Sequence, residues 1–131
     1  MTEELVFYTN PMSRGRIARW MLEEIGQPYR TEYLDFGTTM KAPDYLSMNP
    51  MGKVPAIKHG DTVVTEGAAI CAYLAETFPQ AGLAPTAAQR GRYFRWVVFA
   101  AGPVEIGVPQ RSLGFGISTQ RLRLARLGRM G

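Results

Sequence analysis

Leu5-Val-Phe-Tyr-Thr-Asn-Pro-Met-Ser13 carries a strand, a breaker and a helix start in nine residues. Leu5 is followed by four β-branched or aromatic residues, the make-up of a buried strand, and Asn10-Pro11 ends them in a turn. Helical spacing takes over near Ser13. Ile17, Trp20, Met21 and Ile25 share one face, while Arg14, Arg16, Arg19 and Glu23 fall largely elsewhere. Gly26 closes this helix and Pro28 prevents its continuation. Residues 29–36 alternate as a second strand. Strand, helix and strand in so short a span make a βαβ unit with parallel strands.

Outward from that unit, residues 43–48 fit a short helix ahead of Asn49-Pro-Met-Gly52. Residues 54–58 and 62–65 flank His59-Gly60-Asp61 and read as a β-hairpin with a tight glycine-containing turn. Residues 68–78 form a second clear helix with Ile70, Tyr73, Leu74 and Phe78 turned inward. The order βαβ then ββα gives an α/β domain, a four-stranded mixed sheet with helices packed on it. Residues 79–85 are a Pro/Gly-containing linker. Helical periodicity returns over 87–108 through Tyr93, Trp96, Val97, Ala100, Ala101 and Val104, with Gly102-Pro103 expected to kink or end it. The resulting division is a first domain at 1–80, a linker at 81–86, and an incomplete all-α segment with an irregular basic tail at 87–131.

The chain has 131 residues, room for one domain and part of another, with an ordinary globular composition of 46% hydrophobic and 20% charged residues. No apolar run approaches the roughly 20 residues of a membrane span. The acidic start, Met1-Thr-Glu-Glu4, lacks the basic opening of a secretory signal, and a single cysteine makes no intrachain disulfide. A cytoplasmic protein is the expectation. The net charge of +4 is uneven: residues 1–90 carry −2 and residues 91–131 carry +6. The basic tail permits contact with nucleic acid or acidic membrane, yet no groove-reading or aromatic-interleaved motif accompanies it.

Three motifs stand in order: Tyr8-Thr-Asn-Pro-Met-Ser13-Arg14, Asn49-Pro-Met-Gly-Lys-Val-Pro55 and Thr65-Glu66-Gly67. Together with the βαβ–ββα order they resemble the N-terminal, thioredoxin-like domain of the glutathione transferase superfamily, over residues 5–85. Residues 87–108 look like the first helix of that family's helical second domain. The resemblance implies glutathione as co-substrate, its thiolate added to a small electrophile; no metal is expected, and a homodimer is one candidate assembly.

Ser13 stands where strand gives way to helix, so its hydroxyl can accept from free backbone N–H groups or donate to a bound anion. The family's task is to lower the pKa of a bound thiol, ordinarily near ~8.5, so that the reactive thiolate forms at neutral pH. The resemblance gives that role to Ser13. Subfamilies use Tyr, Ser or Cys, which makes Tyr8 a rival placed inside the strand. Arg14 either supports the thiolate electrostatically or is simply solvated. The resemblance implies a cis peptide bond at Val54-Pro55, presenting the backbone of Val54 as an edge to which the cysteinyl part of glutathione pairs. Lys53, and more weakly Lys41, are candidates for the glycyl carboxylate. Glu66 would meet the γ-glutamyl ammonium, and the helix start at Gly67 its carboxylate; many family members have Ser at the position of Gly67. The plainer reading makes Thr65 an N-cap with Glu66 in the first turn.

Cys71 reads as a small core residue, and His59, alone in a hairpin turn, as an exposed residue without metal partners. A serine at position 13 removes the nucleophile a glutaredoxin-like oxidoreductase needs. From about Phe115 the Arg/Leu/Gly-rich text loses its period, and a changed reading frame or a truncated copy is expected there. Two functions follow: a glutathione transferase, or a transferase-like binding module whose second site is incomplete.

Overall fold

The computed structural model describes residues 3–114. The backbone divides into two compact units, Met1–Tyr93 and Phe94–Gly131. The expectations for the tail from Phe115 onward lie outside the described residues.

In the first unit β1 (Leu5–Thr9) leads to α1 (Gly15–Ile25) and β2 (Arg30–Tyr33), then to α2 (Pro43–Met48), the hairpin of β3 (Ala56–His59) and β4 (Thr62–Thr65), and α3 (Gly67–Thr77). The strand order is β2-β1-β3-β4. β1 runs parallel to β2, with Val6 opposite Arg30, and antiparallel to β3, with Phe7 opposite Ile57. This is the expected mixed sheet of a thioredoxin-like domain. Its second strand is shorter than expected, four residues instead of eight: the Leu34 N–H makes the last bond to the Thr9 carbonyl, and the Leu34 carbonyl then accepts from the Asn10 side chain in place of a further strand residue.

Alternation along the central strands assigns the two faces. Leu5 and Phe7 of β1 and Ile57 of β3 point to a core shared with Ala18, Leu22, Ile25, Ile70 and Leu74, where α1 and α3 pack together. Tyr8 and Ala56 point the other way, into a smaller cluster with Met40, Tyr45 and Val54. Gly26 ends α1 in the left-handed region (φ 68°) and Gly60 (φ 56°) turns the hairpin, as their positions in the sequence require.

The inward face of α1 is corrected in part: Ile25 is buried and Met21 packs against the core, but Ile17 and Trp20 do not join them. Gly15, Ala18, Leu22 and Ile25 are buried, whereas Trp20 is 70% and Ile17 41% exposed. Small residues at 15 and 18 let the helix approach the sheet closely, and this rotates the bulkier Ile17 and Trp20 outward. Trp20 Nε1 instead donates to Glu24 at 3.0 Å, one turn along. His59 is also less exposed than its turn position suggests: its Nδ1 lies 2.9 Å from the Tyr73 hydroxyl and its ring packs on Phe78. Cys71 is only partly buried.

α4 (Arg90–Phe99) contains the boundary between the units. A π-helical turn (Ala100–Val104) holds Pro103, and α5 (Glu105–Ser112) follows. Pro103 lacks an N–H and cannot continue the α pattern; the wider turn absorbs it without ending the helical run, which reaches Ser112 instead of Val108. No residue of α4 or α5 is fully buried. Trp96 meets Phe99 edge-on at 5.6 Å, with the Arg95 guanidinium 4.9 Å above its ring. Among the described residues no helix is long and apolar enough to cross a membrane.

Candidate functional site

The end of β1 and the start of α1 are joined by a knotted turn. The Ser13 hydroxyl donates to the Asn10 carbonyl at 2.6 Å and accepts the Gly15 N–H at 3.0 Å. The Ser13 N–H donates to the same carbonyl at 2.9 Å. The helix-capping reading of Ser13 is thus realised from one residue further out, since Arg14 occupies the cap position and makes no side-chain cap. Both readings remain compatible, because a hydroxyl can redirect its proton while it continues to accept from Gly15.

A second loop, from Asn49 to Val54, faces this turn. Its geometry is held by buried Asn49, whose Nδ2 donates to the Lys53 carbonyl at 2.9 Å and whose Oδ1 accepts the Met51 N–H at 3.2 Å. The Tyr45 hydroxyl donates to the same Lys53 carbonyl at 2.5 Å. Burial pushes the Tyr45 phenol above its usual range, helped by Tyr8 and opposed by Asn49, so it stays a proton donor. Lys41 Nζ donates to the carbonyls of Met51 (3.2 Å) and Gly52 (2.9 Å). The Val54-Pro55 bond is cis, as the resemblance implies, and Val54 lies just before the β3 ladder begins at Ala56.

Between the two loops lies a cleft of about 410 Å³ lined by Ser13, Arg14, Lys41, Lys53 and Val54, with Met12, Phe36 and Met40 supplying apolar wall. Five residues from three separate stretches of the sequence therefore share one space, four of them carrying a hydroxyl or a positive charge. Tyr8 is not part of that lining; its ring packs on Tyr45 at 5.7 Å. Pro55, Glu66 and Gly67 stand outside the lining, the last two at the head of α3. Glu66, not Thr65, holds the cap position there. Its φ of 70° lies in the left-handed region that a non-glycine residue adopts only at a cost, and its side chain makes no cap. A larger hollow of about 490 Å³, between Glu3, Tyr29 and Phe78, gathers none of the motif residues. Among the described residues no group of three His, Cys, Asp or Glu side chains is placed to hold a metal.

Sequence reasoning missed Asn10, Asn49 and Tyr45, which fix both walls. A signal was present: Asn-Pro-Met occurs twice, at 10–12 and 49–51. In both copies the Asn Oδ1 accepts the Met N–H two residues on, an Asx-turn, and the Nδ2 donates to a carbonyl beyond it.

Sheet order, helix placement and the cleft define a thioredoxin-like α/β domain of the glutathione-transferase type. Residues 12–77 match the family model described as the glutathione S-transferase N-terminal domain. Glutathione S-transferase GST-4.5 of Xanthomonas campestris is 36% identical over 94 residues, covering 70% of this chain and 46% of that protein. Glutathione S-transferase 3 of Zea mays is 34% identical over 98 residues, 71% and 44% of the two chains. Among solved structures, a Sulfitobacter glutathione transferase homologue with bound glutathione superposes with TM-score 0.69 at 30% identity, over 89% of this chain and 59% of that one. The Xylella fastidiosa glutathione S-transferase gives 0.72 at 29%, over 94% and 61%. The chain belongs to the glutathione S-transferase family through its N-terminal domain, and it spans about half the length of the curated relatives it matches.

Proposed function

We propose that the first unit binds glutathione in the cleft between the Ser13 turn and the Asn49–Val54 loop, and that Ser13 activates the bound thiol for transfer to an electrophile. The single observation that carries the reading is the convergence of Ser13, Arg14, Lys53 and Val54 on that cleft. In this reading the peptide edge of Val54 pairs with the cysteinyl backbone, and the Lys53 ammonium meets the glycyl carboxylate. Lys41 has one N–H left after its two carbonyl bonds and assists there. The γ-glutamyl end reaches out of the cleft toward Glu66 and the N–H groups opening α3 at Gly67.

The Ser13 hydroxyl turns from the Asn10 carbonyl to the sulfur as the ligand arrives. The exchange costs little, because the Asn10 carbonyl keeps the Ser13 N–H. Donation to sulfur, with Arg14 nearby, favours the thiolate; each pKa unit gained is worth about 1.4 kcal/mol. The thiol proton leaves to solvent. With an aryl halide, the thiolate forms a carbon–sulfur bond as the carbon–halogen bond breaks and halide departs.

A second reading, a glutathione-binding module without turnover, is favoured by α4 and α5, which bury none of their described residues completely. Calorimetric titration with millimolar glutathione and turnover of an aryl halide, for the parent chain and Ser13→Ala, test both. Binding with turnover lost in Ser13→Ala supports the transferase. Binding without turnover supports the module, and absence of binding rejects both.

A further inference from the structure

We infer that Asn10 is a positioning residue for the Ser13 hydroxyl, an inference that rests on the glutathione reading of the cleft. Asn10 is half-buried and uses its amide at both ends. Nδ2 donates to the Leu34 carbonyl at 2.8 Å, 24 residues away in the chain leaving β2. Oδ1 accepts the Met12 N–H at 2.9 Å. Its own carbonyl accepts the N–H and the hydroxyl of Ser13. The two amide ends cannot be exchanged, since a carbonyl at Leu34 demands a donor and an N–H at Met12 demands an acceptor.

One side chain thereby anchors the turn to the chain just beyond β2 and shapes the turn that presents Ser13. On the far side of Ser13 the Gly15 N–H holds the same hydroxyl. Ser13 therefore has its oxygen fixed by Gly15 and its resting proton acceptor fixed by Asn10. The Asn49 turn uses the same Asx device, but its amide returns within four residues, to Lys53. Of the two, only the Asn10 amide reaches a segment distant in the chain, the residue that follows β2. Asp at this position cannot donate to Leu34, and Gln is a methylene too long to close the two-residue turn. If Asn10 shapes the turn and nothing more, its loss lowers stability and leaves the bound thiol unaffected. If it positions the hydroxyl, its loss raises the thiol pKa through Ser13.

The test follows the ultraviolet absorbance of the thiolate of bound glutathione against pH, using the full chain and its Asn10→Ala, Asn10→Ser, Ser13→Ala and Asn10→Ala/Ser13→Ala variants. At neutral pH Ser13→Ala is expected to lower the thiolate-to-thiol ratio about tenfold and Asn10→Ala about threefold. The double variant is expected to match Ser13→Ala alone. Asn10→Ser, whose hydroxyl can still accept the Met12 N–H, lies between parent and Asn10→Ala; it carries the test if Asn10→Ala fails to fold by circular dichroism. A parent-like thiol titration in the folded Asn10 variants overturns the inference, as does a further threefold drop in the Ser13→Ala background. A bound thiol titrating like free glutathione in the parent chain overturns the cleft reading as well, which separates the two failures.

Discussion

Gly15→Ala sets two physical effects against each other at one atom. Position 15 opens α1, where alanine is favoured over glycine by up to about 1 kcal/mol. Propensity alone therefore expects stabilisation. The added Cβ, however, would lie 2.1 Å from Thr9 Oγ1, 3.3 Å from Thr9 Cβ and 2.9 Å from Ser13 Oγ. Thr9 is buried, so it cannot swing into solvent, and rotation about its Cα–Cβ bond leaves the Cβ contact in place. Overpacking of this kind costs roughly 1–3 kcal/mol. Packing should win, for a net loss of about 1–2 kcal/mol, or roughly 5–10 °C in melting temperature for a unit of this size. Urea unfolding followed by far-ultraviolet circular dichroism measures it. Thr9→Ala should restore much of the loss in the Gly15→Ala background, because it removes the nearest atom. A Gly15→Ala protein as stable as its parent, or more stable, would refute the packing argument and return the position to ordinary helix propensity.

Gly52→Ala meets a similar barrier with a conformational cost added. Its φ is 57° and the new Cβ would fall 2.9 Å from both Leu46 Cδ2 and Lys41 Nζ; a loss of about 2 kcal/mol and weaker glutathione binding are expected by urea unfolding and calorimetry. Leu22→Ala should cost about 2–5 kcal/mol and Trp20→Ala less than about 1, a contrast that reads which face of α1 is inward. The buried Tyr45 phenol, its pKa raised, keeps its proton in the folded chain above the point where the unfolded chain loses it. Its contribution is fully present below about pH 10 and is lost as pH rises through the folded value. Tyr45→Phe should cost about 1 kcal/mol at neutral pH and flatten the decline above pH 10, and melting temperatures across that range decide it.

Much of the fold was legible because it depends on local chemistry. The bounds of β1, the glycine that ends α1, the hairpin turn at Gly60 and the inward Ile70 and Leu74 of α3 all follow from residue type and spacing. Two of the three motifs likewise marked segments that come to line one cleft, while Glu66 and Gly67 of the third stand outside it. Face assignment on α1 held for Met21 and Ile25 and failed for Ile17 and Trp20, whose bulk outweighs Gly15 and Ala18 in any hydrophobic pattern, although no side chain fits at position 15 against Thr9.

Alone, the sequence determined the order of elements, the mixed sheet and the candidate groups at 13, 53, 54 and 66. Tertiary structure decided what each polar group does with its hydrogen bonds. It turned Lys41 onto the Met51 and Gly52 carbonyls, made Tyr45 and Asn49 the holders of Lys53, and stretched the Asn10 amide to Leu34. Such pairings join residues distant in the chain, and donors and acceptors of these kinds recur throughout it. Only the packed sheet brings one particular pair within reach.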